Sequence, residues 1–257
     1  MNSGGNVATG QLQCESISKS FDGVEALRDV TINFPAYGVV AVIGPNGAGK
    51  TTLINVLSGF TRPDSGSVWL NGLEITDWLP YKIARQGVVR TFQDVRIASE
   101  MSVLDNVMLA CAHPRSTAWF SDLIPNTIRA REQVIRRSAE EALRFAQLHD
   151  ELSRRAGDLS YGQRKLLTLA CCFASGAGTL LLDEPIAGVY PEMALQIATV
   201  LREMSKCGKH IVFIEHDIAC VRRLADEVIV LAEGKVIARG ETAEVLARHE
   251  VMEAYLD

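Results

Sequence analysis

Apolar residues fall in short bursts near the start of the chain, at helical spacing in the middle, and again in compact runs further on. Leu12 to Ile17, Val30 to Phe34 and Val39 to Ile43 read as strands. A glycine-rich turn, Gly44 to Gly49, follows the third, and Lys50 to Leu57 has helical character that stops at Gly59. Ser67 to Leu70, closed by Asn71-Gly72, predicts a hairpin. From about Ser102 to Leu152 the spacing is helical, with arginines and glutamates interleaved as on a solvated helix face. Thr179 to Leu182 and His210 to Ile214 are unbroken apolar runs, the pattern of parallel strands covered on both faces. Amphipathic helices are predicted over Glu192 to Lys206 and Ile218 to Ala225. Glu227 to Leu231 and Lys235 to Arg239 form a second hairpin across Glu233-Gly234, and a last helix starts near Thr242. Strands alternating with helices predict an α/β core, here a single domain over 1–257 with an α-helical subdomain inserted at about 102–175.

Composition changes this picture little. The hydrophobic share of 47% and charged share of 22% are ordinary for a globular chain, and 257 residues suffice for a sizeable core. A net charge of -5 argues against a general nucleic-acid binder, so no nucleic-acid partner is expected. No apolar stretch approaches the roughly 20 residues that span a bilayer. Met1 to Gln11 lacks the charged start and apolar run of a secretory signal, so a cytoplasmic location is expected, with any membrane role supplied by a partner. The six cysteines form no C-x-x-C pair, and Cys171 and Cys172 read as small core residues.

The chemistry begins at Gly44-Pro45-Asn46-Gly47-Ala48-Gly49-Lys50-Thr51, followed by Thr52. This matches G-x-x-x-x-G-K-[ST] between an apolar strand and a helix, the context the motif requires. Such a loop turns successive N–H groups around a phosphate, and the helix start adds partial positive charge. Lys50 can reach the β and γ phosphates and the Thr51 hydroxyl can ligate Mg²⁺. The loop alone indicates nucleotide binding without naming a reaction.

Leu159-Ser160-Tyr161-Gly162-Gln163 is close to the L-S-G-G-Q signature of ATP-binding cassette (ABC) ATPases, with Tyr161 in place of the first glycine. Ser160 suits an N-cap, which would make a second anion site. Thr179 to Pro185 resembles that family's Walker B strand, ending in Asp183 and Glu184. The resemblance implies a P-loop NTPase (RecA-like) core with an N-terminal antiparallel β region. It further implies Thr51 and Asp183 at Mg²⁺, Gln93 at Mg²⁺ or the attacking water and linking the ATP site to the helical subdomain, Glu184 acting on the attacking water, and His216 at the γ-phosphate. It places ATP against the loop from Gly44 to Thr52 and against Ser160, Tyr161, Gly162 and Gln163 of a second subunit. Phe21 would stack on adenine, although a core phenylalanine explains it nearly as well. One departure lies at Val189-Tyr190, where the family's D-loop usually carries a Leu-Asp pair.

Ile83-Ala84-Arg85, Gly87, Arg90 to Arg96, Met101-Ser102-Val103, Asn106-Val107 and the ending Val251 to Asp257 are similar to the ATPases of branched-chain amino-acid importers. Importers of urea and short amides are close relatives and remain an alternative. A soluble ABC ATPase of ribosomes or DNA is disfavoured, since the chain has neither two cassettes nor a long coiled-coil insertion. The implied partners are integral-membrane permeases, an identical or paralogous ATPase as homodimer or heterodimer, and, indirectly, a solute-binding protein. The implied place is peripheral, on the inner face of the plasma membrane.

Overall fold

The computed structural model describes residues 11–93, 95–111, 125–249 and 251. The similarities read at Asp94 and Met252 to Asp257, and the N-terminal stretch before Gln11, lie outside those residues. In chain order the elements open with β1 (Leu12–Phe21), β2 (Val24–Asn33), β3 (Gly38–Ile43), α1 (Lys50–Leu57), β4 (Ser65–Leu70) and β5 (Leu73–Glu74). Next come α2 (Pro80–Arg85), β6 (Val88–Arg90), α3 (Val103–Cys111), α4 (Pro125–Phe145) and α5 (Tyr161–Ala174). The chain continues with β7 (Thr179–Asp183), α6 (Pro191–Lys206), β8 (His210–Ile214), α7 (Ile218–Leu224), β9 (Glu227–Ala232), β10 (Lys235–Glu241) and α8 (Thr242–Val245). None of the described helices is long and apolar enough to cross a membrane.

Two compact units result: Met1–Gln93 with Gly178–Ala187 and Leu201–Asp257, and Asp94–Ala177 with Gly188–Val200. The first holds both sheets. An antiparallel sheet runs β2-β1-β4-β5, and a six-stranded sheet runs β10-β9-β3-β8-β7-β6. In the second sheet β9, β3, β8, β7 and β6 are parallel, and β10 is antiparallel to β9. Every residue of β7 and β8 is buried, which explains why their sequences show no polar alternation. One apolar cluster joins Leu12, Ile17 and Ile32 of the antiparallel sheet, Leu53, Ile54 and Leu57 of α1, and Val40, Val212 and Ile229 of the central strands. Each such side chain contributes about 1.5–3 kcal/mol by leaving water.

β1 and β2 both run longer than their apolar patterns predict. Register shifts between Cys14 and Lys19, with Ser16 and Asp29 at positive φ, break the alternation that marks a strand. At the start of β8 sits His210, fully buried, its ring 6.2 Å from that of Phe34. Among the described residues neither of its ring nitrogens finds a hydrogen-bond partner.

The second unit is helical. α3, α4 and α5 pack pairwise, and Val103, Val107, Ala139, Ala142, Leu143, Leu166 and Ala170 on them are buried. Phe145 and Phe173 stack at 4.4 Å between centroids. Buried Asn106 ties α3 to the preceding segment, accepting from the Ala98 N–H at 2.8 Å and donating to the Ala98 and Ser102 carbonyls. Cys172 is buried and Cys171 partly so, and burial pushes both thiols up to about 12, which keeps them protonated and inert.

Candidate functional site

The parallel strands end along one edge, where ligands of open α/β sheets bind. The loop from Gly44 leaves β3, Asp183 closes β7, His216 follows β8, and Gln93 follows β6. These strands lie side by side in the order β3-β8-β7-β6, so sheet order gathers residues far apart in sequence.

The loop is shaped by its glycines. At Gly49, φ is +98, and a Cβ there would come closer than 3.0 Å to the Ala26 carbonyl oxygen. Gly47, at φ +80, is exposed, and a Cβ would meet nothing within 4 Å among the described residues. Asn46 is exposed beside it, Pro45 half-buried, and Gly44 and Ala48 buried. Gly49 N-caps α1 and, lacking a side chain, provides no cap hydrogen bond. Lys50 is buried, its Nζ donating at 2.8 Å to the carbonyls of Gly44 and Pro45. Burial pulls its pKa below the usual lysine value, and the Glu184 and Asp183 carboxylates oppose that fall. Thr51 is exposed and Thr52 half-buried on the first turn.

Glu184 draws two candidate residues together. Gln93 Nε2 donates to its Oε2 at 3.0 Å, and His216 Nε2 lies 3.1 Å from its Oε1. Its backbone is left-handed, φ 48, immediately before Pro185. That conformation is costly for a residue with a side chain, typically about 1–3 kcal/mol, and such strain clusters at functional sites. The Glu184 N–H donates to the Ile214 carbonyl at 3.1 Å, and the Glu215 carboxylate accepts from the Ile186 N–H at 2.9 Å, fixing the turn to β8. Asp183 is buried. Burial raises its pKa, and the Arg90 guanidinium opposes the rise.

Phe21, at the end of β1, is 46% exposed, so the core reading of that ring does not hold. Its face carries the Lys19 ammonium at 5.5 Å.

In the helical unit Ser160 N-caps α5 in a capping box. Its hydroxyl accepts from the Gln163 N–H at 3.3 Å, and its own N–H donates to Gln163 Oε1 at 3.0 Å. Gln163 Nε2 also donates to Glu151. A Cβ on Gly162 would come closer than 3.0 Å to Met193 Cγ, which explains a glycine there. Tyr161 is partly exposed, with the Lys165 ammonium 5.2 Å from its ring centroid. Tyr190 is 83% exposed.

A family model described as ABC transporter matches residues 27–187. The chain belongs to the ABC transporter family. Membership makes it an ATP-hydrolysing, nucleotide-binding cassette. It is similar to the probable branched-chain amino acid transport ATP-binding protein LivG of Archaeoglobus fulgidus, 37% identical over 95% of both chains. It is likewise similar to the high-affinity branched-chain amino acid transport ATP-binding protein LivG of Escherichia coli, 34% identical over 95% of this chain and 97% of that one. A nucleotide-free ATP-binding cassette from an ABC transporter superposes with a TM-score of 0.82 at 32% identity, covering 96% of this chain and 99% of its own. A second cassette, solved in its ADP conformation, gives 0.82 at 33% identity over 96% and 98%. The expected P-loop fold is therefore present, with its antiparallel β region and helical insertion.

Sequence reasoning named Arg90 and Thr91 only within a subfamily likeness and gave neither a role. The Thr91 hydroxyl accepts from the Asp183 N–H at 3.3 Å, and Arg90 pairs with the Asp183 carboxylate at 3.3 Å. The available signal was an arginine closing the apolar pair Val88-Val89, which is unusual inside a buried strand.

Proposed function

We propose that this cassette is the ATP-hydrolysing subunit of an importer of branched-chain amino acids. The observation that carries the reading is the likeness to LivG proteins along 95% of the chain, joined to the gathering of Lys50, Gln93, Asp183, Glu184 and His216 in one unit. In this reading Lys50 binds the β and γ phosphates, Glu184 orients and deprotonates the attacking water, and His216 contacts the γ-phosphate. Phe21 stacks on adenine, for which its exposed ring is suited.

Mg²⁺ fits the residues present. Thr51, Gln93 and Asp183 offer only hard oxygen donors, and no group of three or more His, Cys, Asp or Glu among the described residues forms a closed metal cage. That suits an ion which keeps waters and takes one or two carboxylates plus substrate phosphates. When bound, it neutralises charge on the β and γ phosphates.

Two cassettes pair head to tail, identical or paralogous, so that Ser160 to Gln163 of each meets the nucleotide of the other. The helical unit docks on the permease at the inner face of the membrane, and Gln93, which closes the first segment of the first unit, reports nucleotide state to it. The test is uptake by cells lacking the chain, complemented with wild type or Glu184→Gln. Restored leucine, isoleucine and valine uptake by wild type alone supports the reading. Restored urea or short-amide uptake instead reassigns the cargo, and ribosomes or DNA co-purifying in place of permeases overturns the transport role.

A further inference from the structure

Arg90 is buried where no charge is needed to close a strand. It ends β6, its side chain is 5% exposed, and three sets of groups surround its guanidinium. Nη2 lies 3.3 Å from Asp183 Oδ2. Nη1 donates to Asn55 Oδ1 on α1 and lies 3.4 Å from the hydroxyl of Ser58, which caps the same helix. Phe60 and Phe92 lie together on one side of the group, with centroids 5.5 Å and 4.9 Å from the guanidinium carbon. Those rings meet edge-on at 5.2 Å. A planar fork has the shape to serve two partners at once while lying against an aromatic pair, and an ammonium on a flexible stem does not.

The neighbours act in concert. Thr91 holds the Asp183 N–H, and Gln93 donates to Glu184. The segment 90–93 thus grips both carboxylates at the end of β7. Arg90 goes further, because α1 carries Lys50 and Thr51 on its first turn, and Asn55 lies on the same short helix. One guanidinium therefore spans the helix that begins at the phosphate loop and the carboxylate at the strand end.

We propose that Arg90 is a positioning residue for the Mg²⁺–nucleotide site. It holds Asp183 Oδ2, so that the carboxylate's other oxygen is presented in a fixed direction, and it sets that carboxylate at a fixed distance from the first turn of α1. This inference rests on the reading of Asp183 as a magnesium-site carboxylate. Outer partners of metal-binding groups typically contribute about 10- to 100-fold to metal affinity.

The test is calorimetric titration of a non-hydrolysable ATP analogue, with Mg²⁺ and with EDTA, on wild type, Arg90→Lys, Arg90→Gln, Phe60→Leu and Asp183→Asn. The quantity read is the gain in affinity on adding Mg²⁺. Wild type should show a gain that Asp183→Asn abolishes. Arg90→Lys and Arg90→Gln should lose about tenfold of it, Phe60→Leu two- to threefold, and affinity in EDTA should stay within twofold. Loss in Arg90→Lys, where charge remains, identifies the fork as the cause. If Arg90→Gln does not fold, Arg90→Lys and Phe60→Leu decide. An unchanged gain in the Arg90 variants, with the gain lost in Asp183→Asn, overturns this role alone. Equal losses with and without Mg²⁺ also overturn it, by showing a general packing effect. A full gain in Asp183→Asn removes the magnesium reading and this inference with it.

Discussion

Helices α1 and α5 both begin at segments proposed to bind nucleotide, and they begin in opposite ways. α1 is capped by Gly49, which has no side chain to place over the first-turn N–H groups. α5 is closed by its own sequence, with Ser160 and Gln163 satisfying each other's backbone donors. The open start leaves donors for a phosphate, together with the buried Lys50 ammonium. The closed start leaves a formed helix end that meets a ligand as a finished surface. The first segment therefore gains from its ligand what the second obtains from the chain, and ligand binding should stabilise the first far more.

The largest test of this contrast is Lys50→Ala. Loss of a charge-assisted contact in a desolvated site costs about 2–5 kcal/mol, so affinity for ATP should fall by roughly 30-fold to several thousand-fold. Titration with a fluorescent ATP analogue measures it, and near-normal affinity would mean that the open helix start suffices by itself. Next come two glycines. Gly49→Ala drives a Cβ against the Ala26 carbonyl at φ +98 and should destabilise the fold by about 2–4 kcal/mol. Gly162→Ala drives a Cβ against Met193 Cγ, but the side chain can give way and alanine gains helix propensity, so the net loss should be about 1–2 kcal/mol. Denaturant unfolding of both compares them directly, and equal losses would erase the distinction. The smallest effect belongs to Ser160→Ala, about 1 kcal/mol from the lost cap, or roughly 2–4 °C in melting temperature. A melting temperature that does not move would show that the capping box adds nothing to α5.

Much of the first unit was legible because its signals are local. Val39 to Ile43, the glycine turn and Lys50 to Leu57 announce β3 and α1 within twenty residues, and the structure keeps those limits almost unchanged. The runs ending at Asp183 and Ile214 are legible because burial on both faces removes any polar position. Two other elements stayed hidden. β6 has only Val88, Val89 and Arg90, too few for a period, and α2 is one short turn begun by Pro80. Strand order was also hidden, since nothing in the hairpin of β9 and β10 says that it joins the parallel sheet. At the site, motif residues could be named from spacing, whereas Arg90 acts through Asn55 and Asp183, partners 35 and 93 residues away. Such a residue has no local signature. The left-handed backbone of Glu184 was equally invisible, because Pro185 after it predicts an extended conformation.

The histidine that opens β8 makes the fold answerable to acid. Burial depresses the His210 pKa from 6.5 to about 4. As pH falls below about 6.5 the unfolded chain takes up this proton before the folded one does. The stability tied to the neutral ring is therefore complete above that pH and drains away as pH falls towards 4, by on the order of 3 kcal/mol. Equilibrium unfolding at pH 7 and pH 5 should show the loss in wild type and a flatter profile in His210→Phe, and parallel profiles would clear the histidine. At neutral pH the ring is a dormant cost, two polar nitrogens in an apolar layer beside Phe34. Below about pH 6.5 it becomes a proton sink that the unfolded chain fills first.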